Sequence, residues 1–291
     1  MRSFSFVTVD VFTDRRFGGN PLAVFPDARG LADAEMQVLA AEFNLSESTF
    51  VLPPEDPANT ARVRIFNRTA EMPFAGHPNV GTGFVLRDRA VDGVLRFEQI
   101  AGVVEVKIAP DAQGATIAAP QALRIGAALP ATIAAACAGI SVDEVTVARH
   151  EPTLAADGGN HRLLVEVTPA GLAAASPDTT AFRRALAEHA AALGRHLSLY
   201  LYCRDDAAVR ARMFSPLAGT PEDPATGSAA TPLAGFLLHL SGAESAALDI
   251  IQGVEMGRPS LLRTTARRTK DGIRATVGGG CVPVLRGEAM L

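Results

Sequence analysis

Residues Arg64–Leu86 read RIFNRTAEMPFAGHPNVGTGFVL, which seats His77 between a glycine and a proline directly ahead of an almost wholly apolar segment. A strand ending in Phe66 gives way to a polar turn, and the spacing then predicts a helix over Asn79–Arg89. Its body, VGTGFVL, has no polar face, so burial on most sides is expected. The same order recurs in RMFSPLAGTPEDPATGSAATPLAGFLLHL, Arg212–Leu240. Each copy has an Arg-containing strand ending in Phe (Phe66, Phe214), an acidic Pro/Gly-rich loop, a glycine-containing start (AGHPN, ATGSA) and a helix of small residues entering an apolar run. The repeat predicts two similar α/β halves, each wrapping sheet around a buried helix and facing the other across a cleft.

Working outward, Phe4–Phe12 and PLAVF read as strands around the turn DRRFGGN, and Leu31–Phe43 as a helix with Asp33 and Glu35 in its first turn. NLSESTFVL, ARVRIF and VLRFEQIAGVVEVKIA supply further strands, and ATIAAP ends the first part near Pro120. The second part is expected to hold a short Ala-rich helix in RIGAALPATIAAACAGI, strands near Val145–Arg149 and His161–Val167, a helix over Asp178–Ala192, and the strand pair LSLYLYC and AVRARMF. Two domains follow, 1–120 and 121–280.

The chain has 291 residues, 48% of them hydrophobic and 20% charged, a composition that builds a core and excludes disorder. Its net charge is −4 with lysines and arginines scattered among acids, which argues against a nucleic-acid partner. No apolar run is long enough to span a bilayer, and the opening MRSFSFVTVDVF reads as a strand rather than a signal peptide, so no membrane role and a cytoplasmic location are expected. The six histidines show no HxxxH or HExxH spacing and no CxxC pair occurs, so no metal is expected; GGNPLAVF and VGTGFVL match neither GxGxxG nor GxxxxGK[ST], so no nucleotide cofactor is expected. Cys137, Cys203 and Cys281 lie in apolar surroundings and read as buried small hydrophobes.

Helix starts carry unpartnered amides and the positive end of the helix dipole, and small residues let an anion reach them. Two such starts would hold a carboxylate. His77 offers an imidazole able to donate or accept near neutrality, or a ring bonded to a local carbonyl. Asp223 would orient an amine or hydroxyl of the ligand, or serve its own turn; Ser228 would donate to a carboxylate while helping to cap the second helix. Glu47, where a loop enters the apolar strand of LSESTFVL, is either an ordinary edge glutamate or a partly buried acid whose raised pKa lets it exchange protons near pH 7.

VDVFTDRRFGGNPLAVF (Val9–Phe25), NLSESTFV (Asn44–Val51), PFAGHPNVGTG (Pro73–Gly83), EDPATGSAA (Glu222–Ala230), QGVEMGRPS (Gln252–Ser260) and the closing VGGGCVPVLRGE together resemble the PhzF-like phenazine-biosynthesis family, within the diaminopimelate-epimerase-like fold. The resemblance implies two mirrored α/β domains, each a strongly curved sheet around a central helix, with a strand near 281–286 completing the first, and a homodimer. It implies a cofactor-independent isomerase of a small carboxylated metabolite, the best-understood relative isomerising dihydro-hydroxyanthranilate. By the same resemblance Glu47 is the general acid/base, His77, Asp223 and Ser228 position the ligand, and Gly76 and Gly227 are the small residues at the two helix starts. The wider fold includes epimerases with two opposed cysteines, but AGHPN and ATGSA contain none, which disfavours a two-thiol mechanism. A dehydratase or epimerase using the same acid, or a non-catalytic binder of a small carboxylate or of a protein, are the alternatives.

Overall fold

The structure, a computed structural model, describes residues 2–205 and 208–291. In chain order it contains β1 (Ser3–Val11), β2 (Asn20–Phe25), α1 (Asp33–Phe43), β3 (Glu47–Leu52), β4 (Ala61–Phe66), β5 (Glu71–Met72), α2 (Gly76–Val85), β6 (Val94–Gln99), β7 (Gly102–Ile108) and β8 (Gly114–Ala118). There follow β9 (Arg124–Ala128), α3 (Ala131–Ala138), β10 (Thr153–Ala156), β11 (Arg162–Glu166), α4 (Pro169–Ala174), α5 (Thr179–Glu188), α6 (Ala190–Leu193), β12 (Leu199–Asp205) and β13 (Ala208–Ser215). The chain ends with β14 (Thr220–Asp223), α7 (Gly227–Ser241), β15 (Ser245–Gln252), β16 (Ser260–Thr269) and β17 (Gly272–Met290). One compact unit comprises Met1–Ala118 and Val277–Leu291, the other Ala119–Thr276, so β17 begins in the second and ends in the first.

In the first unit β17, β1 and β2 are antiparallel neighbours, β2–β3 is parallel, β3–β4 antiparallel, β4–β6 parallel, and β6–β7–β8 antiparallel. β8 then returns to pair with β17 and closes the ring. Helix α2 fills it, with every residue from Gly76 to Phe84 buried. Its glycines are what let the walls close: a Cβ on Gly81 would stand 2.6 Å from Leu22 Cδ2 and 2.7 Å from Val11 Cγ2, and one on Gly83 would stand 2.5 Å from Val106 Cγ1. Each helical glycine costs about 1 kcal/mol relative to alanine, yet here alanine would overpack. Gly81→Ala is therefore expected to lower stability by about 1–3 kcal/mol, read as a lower urea midpoint, whereas a midpoint at or above wild type would contradict the enclosed packing. On the outer face α1 covers Phe25, Phe50 and Phe66, with the Phe25 and Phe50 rings stacked at 4.8 Å.

The second unit repeats this scheme. β9–β10–β11 are antiparallel, β11–β12 parallel, β12–β13 antiparallel, β13–β15 parallel and β15–β16 antiparallel. Bonds from Ala119 N–H to the Ala275 carbonyl (2.9 Å) and from Leu123 N–H to the Ile273 carbonyl (2.8 Å) join the start of the unit to β17. Helix α7 is the inner helix, buried almost throughout from Gly227 to Leu238, while α3 and α5 cover the opposite face through Leu163, Val165, Leu199 and Leu201. The sequence repeat is thus a repeat of topology, and the α/β class with a curved sheet around a central helix in each half is what the structure shows.

The registers make the halves comparable residue by residue. Ser48 faces Phe66 as Leu199 faces Phe214, and Ile65 faces Met72 as Met213 faces Asp223. Even a side-chain brace is duplicated. Arg64 donates from Nε and Nη2 to the two Glu71 oxygens (2.7 and 2.6 Å), and Arg212 does the same to Glu222 (2.8 and 2.9 Å). Each guanidinium lies over the phenylalanine two residues on, at 5.1 and 4.9 Å. Such bidentate pairs fix the short strand that delivers the chain to the inner helix.

Three local expectations fail, one of them the single helix over Asp178–Ala192, which breaks at His189 into α5 and α6. Val145–Arg149 forms no strand and contributes only a bridge from Val145 to Val167, because the chain leaves a 3-10 turn at Val142–Glu144 and its next amide, Thr146 N–H, bonds to the Glu166 carbonyl. The first inner helix begins at Gly76, not Asn79, since a proline is compatible with a first turn whose amides have no internal partner.

Candidate active site

Period two along β3 places Glu47 on the same face as Thr49, whose hydroxyl meets that of Thr82 on α2 at 2.8 Å. Glu47 is the first residue of β3, in parallel register with Leu22. The preceding Ser46 hydroxyl donates to Asn20 Oδ1 at 3.1 Å, which anchors the entry to the strand. His77 is the second residue of α2, behind Gly76. Its Nδ1 stands 3.6 Å from Glu47 Oε2, with the histidine side chain 6% and the glutamate side chain 19% exposed. His77 Nε2 is buried with no hydrogen-bond partner among the described residues.

The electrostatics set the protonation state of His77. A carboxylate this close favours an imidazolium, but burial of the ring outweighs it and pushes the His77 pKa down to about 3. His77 is therefore a neutral imidazole around pH 7 and does not titrate there. It acts as a neutral donor or acceptor beside an acid, not as a second proton-exchanging group.

In the second unit Asp223 ends β14 and accepts from the Thr226 hydroxyl. Gln252, fully buried at the end of β15, ties this corner together. Its Nε2 donates to the Asp223 carbonyl (2.7 Å) and to Thr226 Oγ1 (3.1 Å), while its Oε1 accepts from the Tyr200 hydroxyl (3.0 Å) and the Thr226 amide (3.3 Å). The cap of α7 is Thr226, so Ser228 sits in the first turn behind Gly227 and does not serve as the cap, contrary to expectation. Ser228 Oγ accepts from Arg162 Nη2 at 3.1 Å.

The structure thus brings Glu47 and His77 together at the start of α2, and sets Asp223 and Ser228 on either side of the start of α7. Sequence reasoning missed Gln252, Thr226, Asn20 and Arg162. The available signal for Gln252 was a polar residue closing the apolar strand LDIIQ at the head of QGVEMGRPS. Gln252→Leu would strand the Tyr200 hydroxyl and the Thr226 amide. A loss of about 2–3 kcal/mol is expected by urea unfolding, and an unchanged midpoint would remove Gln252 from this supporting role.

Elsewhere in the first unit a groove of about 550 Å³ is lined by Glu55, Arg62, Arg64, Glu71 and Glu98 among others, and includes neither Glu47 nor His77. Its arginines are already paired, Arg64 with Glu71 and Arg62 with Glu55. Cys137, Cys203 and Cys281 are buried, Cys281 Sγ lying 4.0 Å from the Val80 carbonyl of α2, and burial pushes the Cys137 and Cys281 thiols up to about 12. Among the described residues no cluster of three or more His, Cys, Asp or Glu could hold a metal ion, and no helix is long and apolar enough to cross a membrane.

Residues 9–287 match the family described as phenazine biosynthesis-like protein. The chain belongs to the PhzF-like phenazine-biosynthesis family. Among its relatives, an uncharacterized isomerase of Mesorhizobium japonicum is 37% identical with all of both chains covered. The trans-2,3-dihydro-3-hydroxyanthranilate isomerase of Pseudomonas fluorescens is 36% identical over 99% of each chain. A Bacillus anthracis crystal structure of the PhzF family covers all of both chains with a TM-score of 0.89 at 24% identity, which bears on fold alone. Family membership and fold point to a PhzF-like, cofactor-independent isomerase of a small metabolite.

Proposed function

We propose that the protein isomerises a small carboxylated metabolite by moving a proton between two carbons, with Glu47 as the single general acid/base. Glu47 removes the proton from an activated carbon and, once protonated, returns it to another carbon of the delocalised system. His77, neutral, donates a hydrogen bond where charge develops. Asp223 orients an amine or hydroxyl of the substrate, and the first amides of α7 with Ser228 hold its carboxylate. Gly76 and Gly227 keep both helix starts clear of side chains. The reading is supported above all by the Glu47 carboxylate 3.6 Å from a buried imidazole whose far nitrogen has no hydrogen-bond partner among the described residues.

Turnover in deuterium oxide tests it, with trans-2,3-dihydro-3-hydroxyanthranilate, the compound in the relative's name, as the first compound. The product should carry deuterium at the newly protonated carbon, mixed with protium returned by the same carboxyl group. Wild-type protein that neither isomerises nor exchanges carbon-bound hydrogen in that compound and in other carboxylated dienes would refute the reading.

A further inference from the structure

The matched registers locate the counterparts of the Glu47–His77 pair in the second unit. Glu47 precedes Ser48, which faces Phe66; the residue preceding Leu199, which faces Phe214, is Ser198. His77 is the second residue of α2; the second residue of α7 is Ser228. Leu22, which stands beside Glu47 in parallel register, corresponds to Arg162, one residue before the Leu163–Leu199 pair. In place of an acid beside an imidazole, the second unit has two serines joined by one guanidinium. Arg162 Nη1 donates to Ser198 Oγ at 3.0 Å and Nη2 to Ser228 Oγ at 3.1 Å. A second charged side chain interacts with the same guanidinium. Asp157 is 5% exposed, has a buried Oδ2 with no hydrogen-bond partner among the described residues, and lies within the field of Arg162 and beside Thr231 of α7.

An arginine only donates, so each serine oxygen it touches is committed as an acceptor, and the Ser228 hydroxyl hydrogen is left to point away from the guanidinium. We propose that Arg162 is the specificity-determining positioning residue of the second unit: by forking onto Ser198 and Ser228 it aims the Ser228 hydroxyl at an anionic group and sets a positive charge behind it, so that the start of α7 selects a carboxylate. This rests on the functional reading above, in which the substrate is a carboxylated metabolite. Asp157 opposes the effect. Burial pushes its carboxyl up to about 6, so at pH 7.5 it is mainly ionised and offsets part of the Arg162 charge.

The roles predict effects of opposite sign, which a purely structural network would not produce. Calorimetric titration at pH 7.5 would compare 3-hydroxyanthranilate with 2-aminophenol, its counterpart lacking the carboxylate. Wild type should prefer the carboxylate, Arg162→Gln should cut that preference by about tenfold or more with 2-aminophenol affinity unchanged, and Asp157→Asn should raise carboxylate affinity by about threefold or more. If Arg162→Gln does not fold, Ser198→Ala removes one arm of the fork and should still cut the preference by about threefold. Arg162→Gln or, in its stead, Ser198→Ala binding the carboxylate as wild type does would overturn the inference and leave the functional reading standing, as would weaker carboxylate binding by Asp157→Asn. Wild type without preference for the carboxylate would overturn both.

Discussion

Glu47→Gln is expected to reduce kcat by about 10²–10⁴-fold, the range that a positioned general acid/base supplies, with little change in KM or in unfolding midpoint. The substitution keeps the side chain's shape and its capacity to accept a hydrogen bond, and removes only the ability to take up and return a proton. Stability should be spared as far as His77 is concerned, because the neighbouring imidazole is neutral and the glutamine still fills the same space. Glu47→Asp retains the carboxyl but withdraws it by about one bond length, and should fall between wild type and the glutamine variant, since proton transfer needs close approach. Steady-state rates on any substrate that wild type isomerises check this. A folded Glu47→Gln protein within about tenfold of wild type would exclude Glu47 as the base.

The asymmetry between the two units explains why one acid suffices in the proposed mechanism. Where the first unit has Leu22, Glu47, Met72 and His77, the matched registers give the second Arg162, Ser198, Asp223 and Ser228. The two units have matching helix starts, and in the proposed mechanism the residues around them differ in role: one start has a proton-exchanging acid beside a neutral imidazole, the other a set of hydrogen-bond donors and acceptors. Catalysis by differential stabilisation benefits from such a division, since a substrate that stays fixed keeps both reacting carbons of the delocalised system within reach of the one acid.

How far this was readable in the sequence depended on the range of the interactions involved. The inner helices were legible because an apolar run with glycines, VGTGFVL or LAGFLL, has no polar face to give to water and no Cβ to hold the walls away. Period two along LSESTFVL placed Glu47 at the strand's entry. The strand expected at Val145–Arg149 was not formed because its apolar alternation found no continuous partner beyond Val167, a tertiary circumstance that local pattern does not carry. Within the 19 residues of β17, GIRATVGGGCVPVLRGEAM, nothing local marks where the chain passes from one unit to the other. Gln252 and Arg162 were missed for the same reason, as their roles exist only through partners 26 to 66 residues away. The depressed His77 pKa was not legible locally, because it arises from the enclosing ring of strands, which removes the imidazole from water.

That enclosure has a measurable consequence in acid. In the unfolded chain His77 should titrate near the ordinary histidine value of about 6.5, whereas in the fold burial holds it at about 3. Between these values the unfolded state binds a proton that the native state refuses, so native stability falls as pH falls, by about 1.4 kcal/mol per pH unit contributed by this residue alone. From pH 6.5 to pH 5 the expected loss is about 2 kcal/mol, and by pH 3, where the folded group is itself half protonated, it levels off at about 4 kcal/mol, a large share of an ordinary domain's stability. Asp157 works in the opposite sense: its folded value of about 6 lies above the unfolded carboxylate value, so protonation on acidification stabilises the native state and masks part of the His77 slope. His77→Gln separates the two, because it removes the imidazole's titration and leaves Asp157 in place. Urea unfolding of both proteins from pH 7.5 to pH 5 should show the wild type losing about 2 kcal/mol more than the variant over that interval, whatever the variant's own stability at pH 7.5. Parallel pH dependences would mean that the ring reaches water or holds its proton beside Glu47. His77 would then be an imidazolium partner of the acid instead of a neutral donor, and the assignment of a single proton-exchanging group would fail with it.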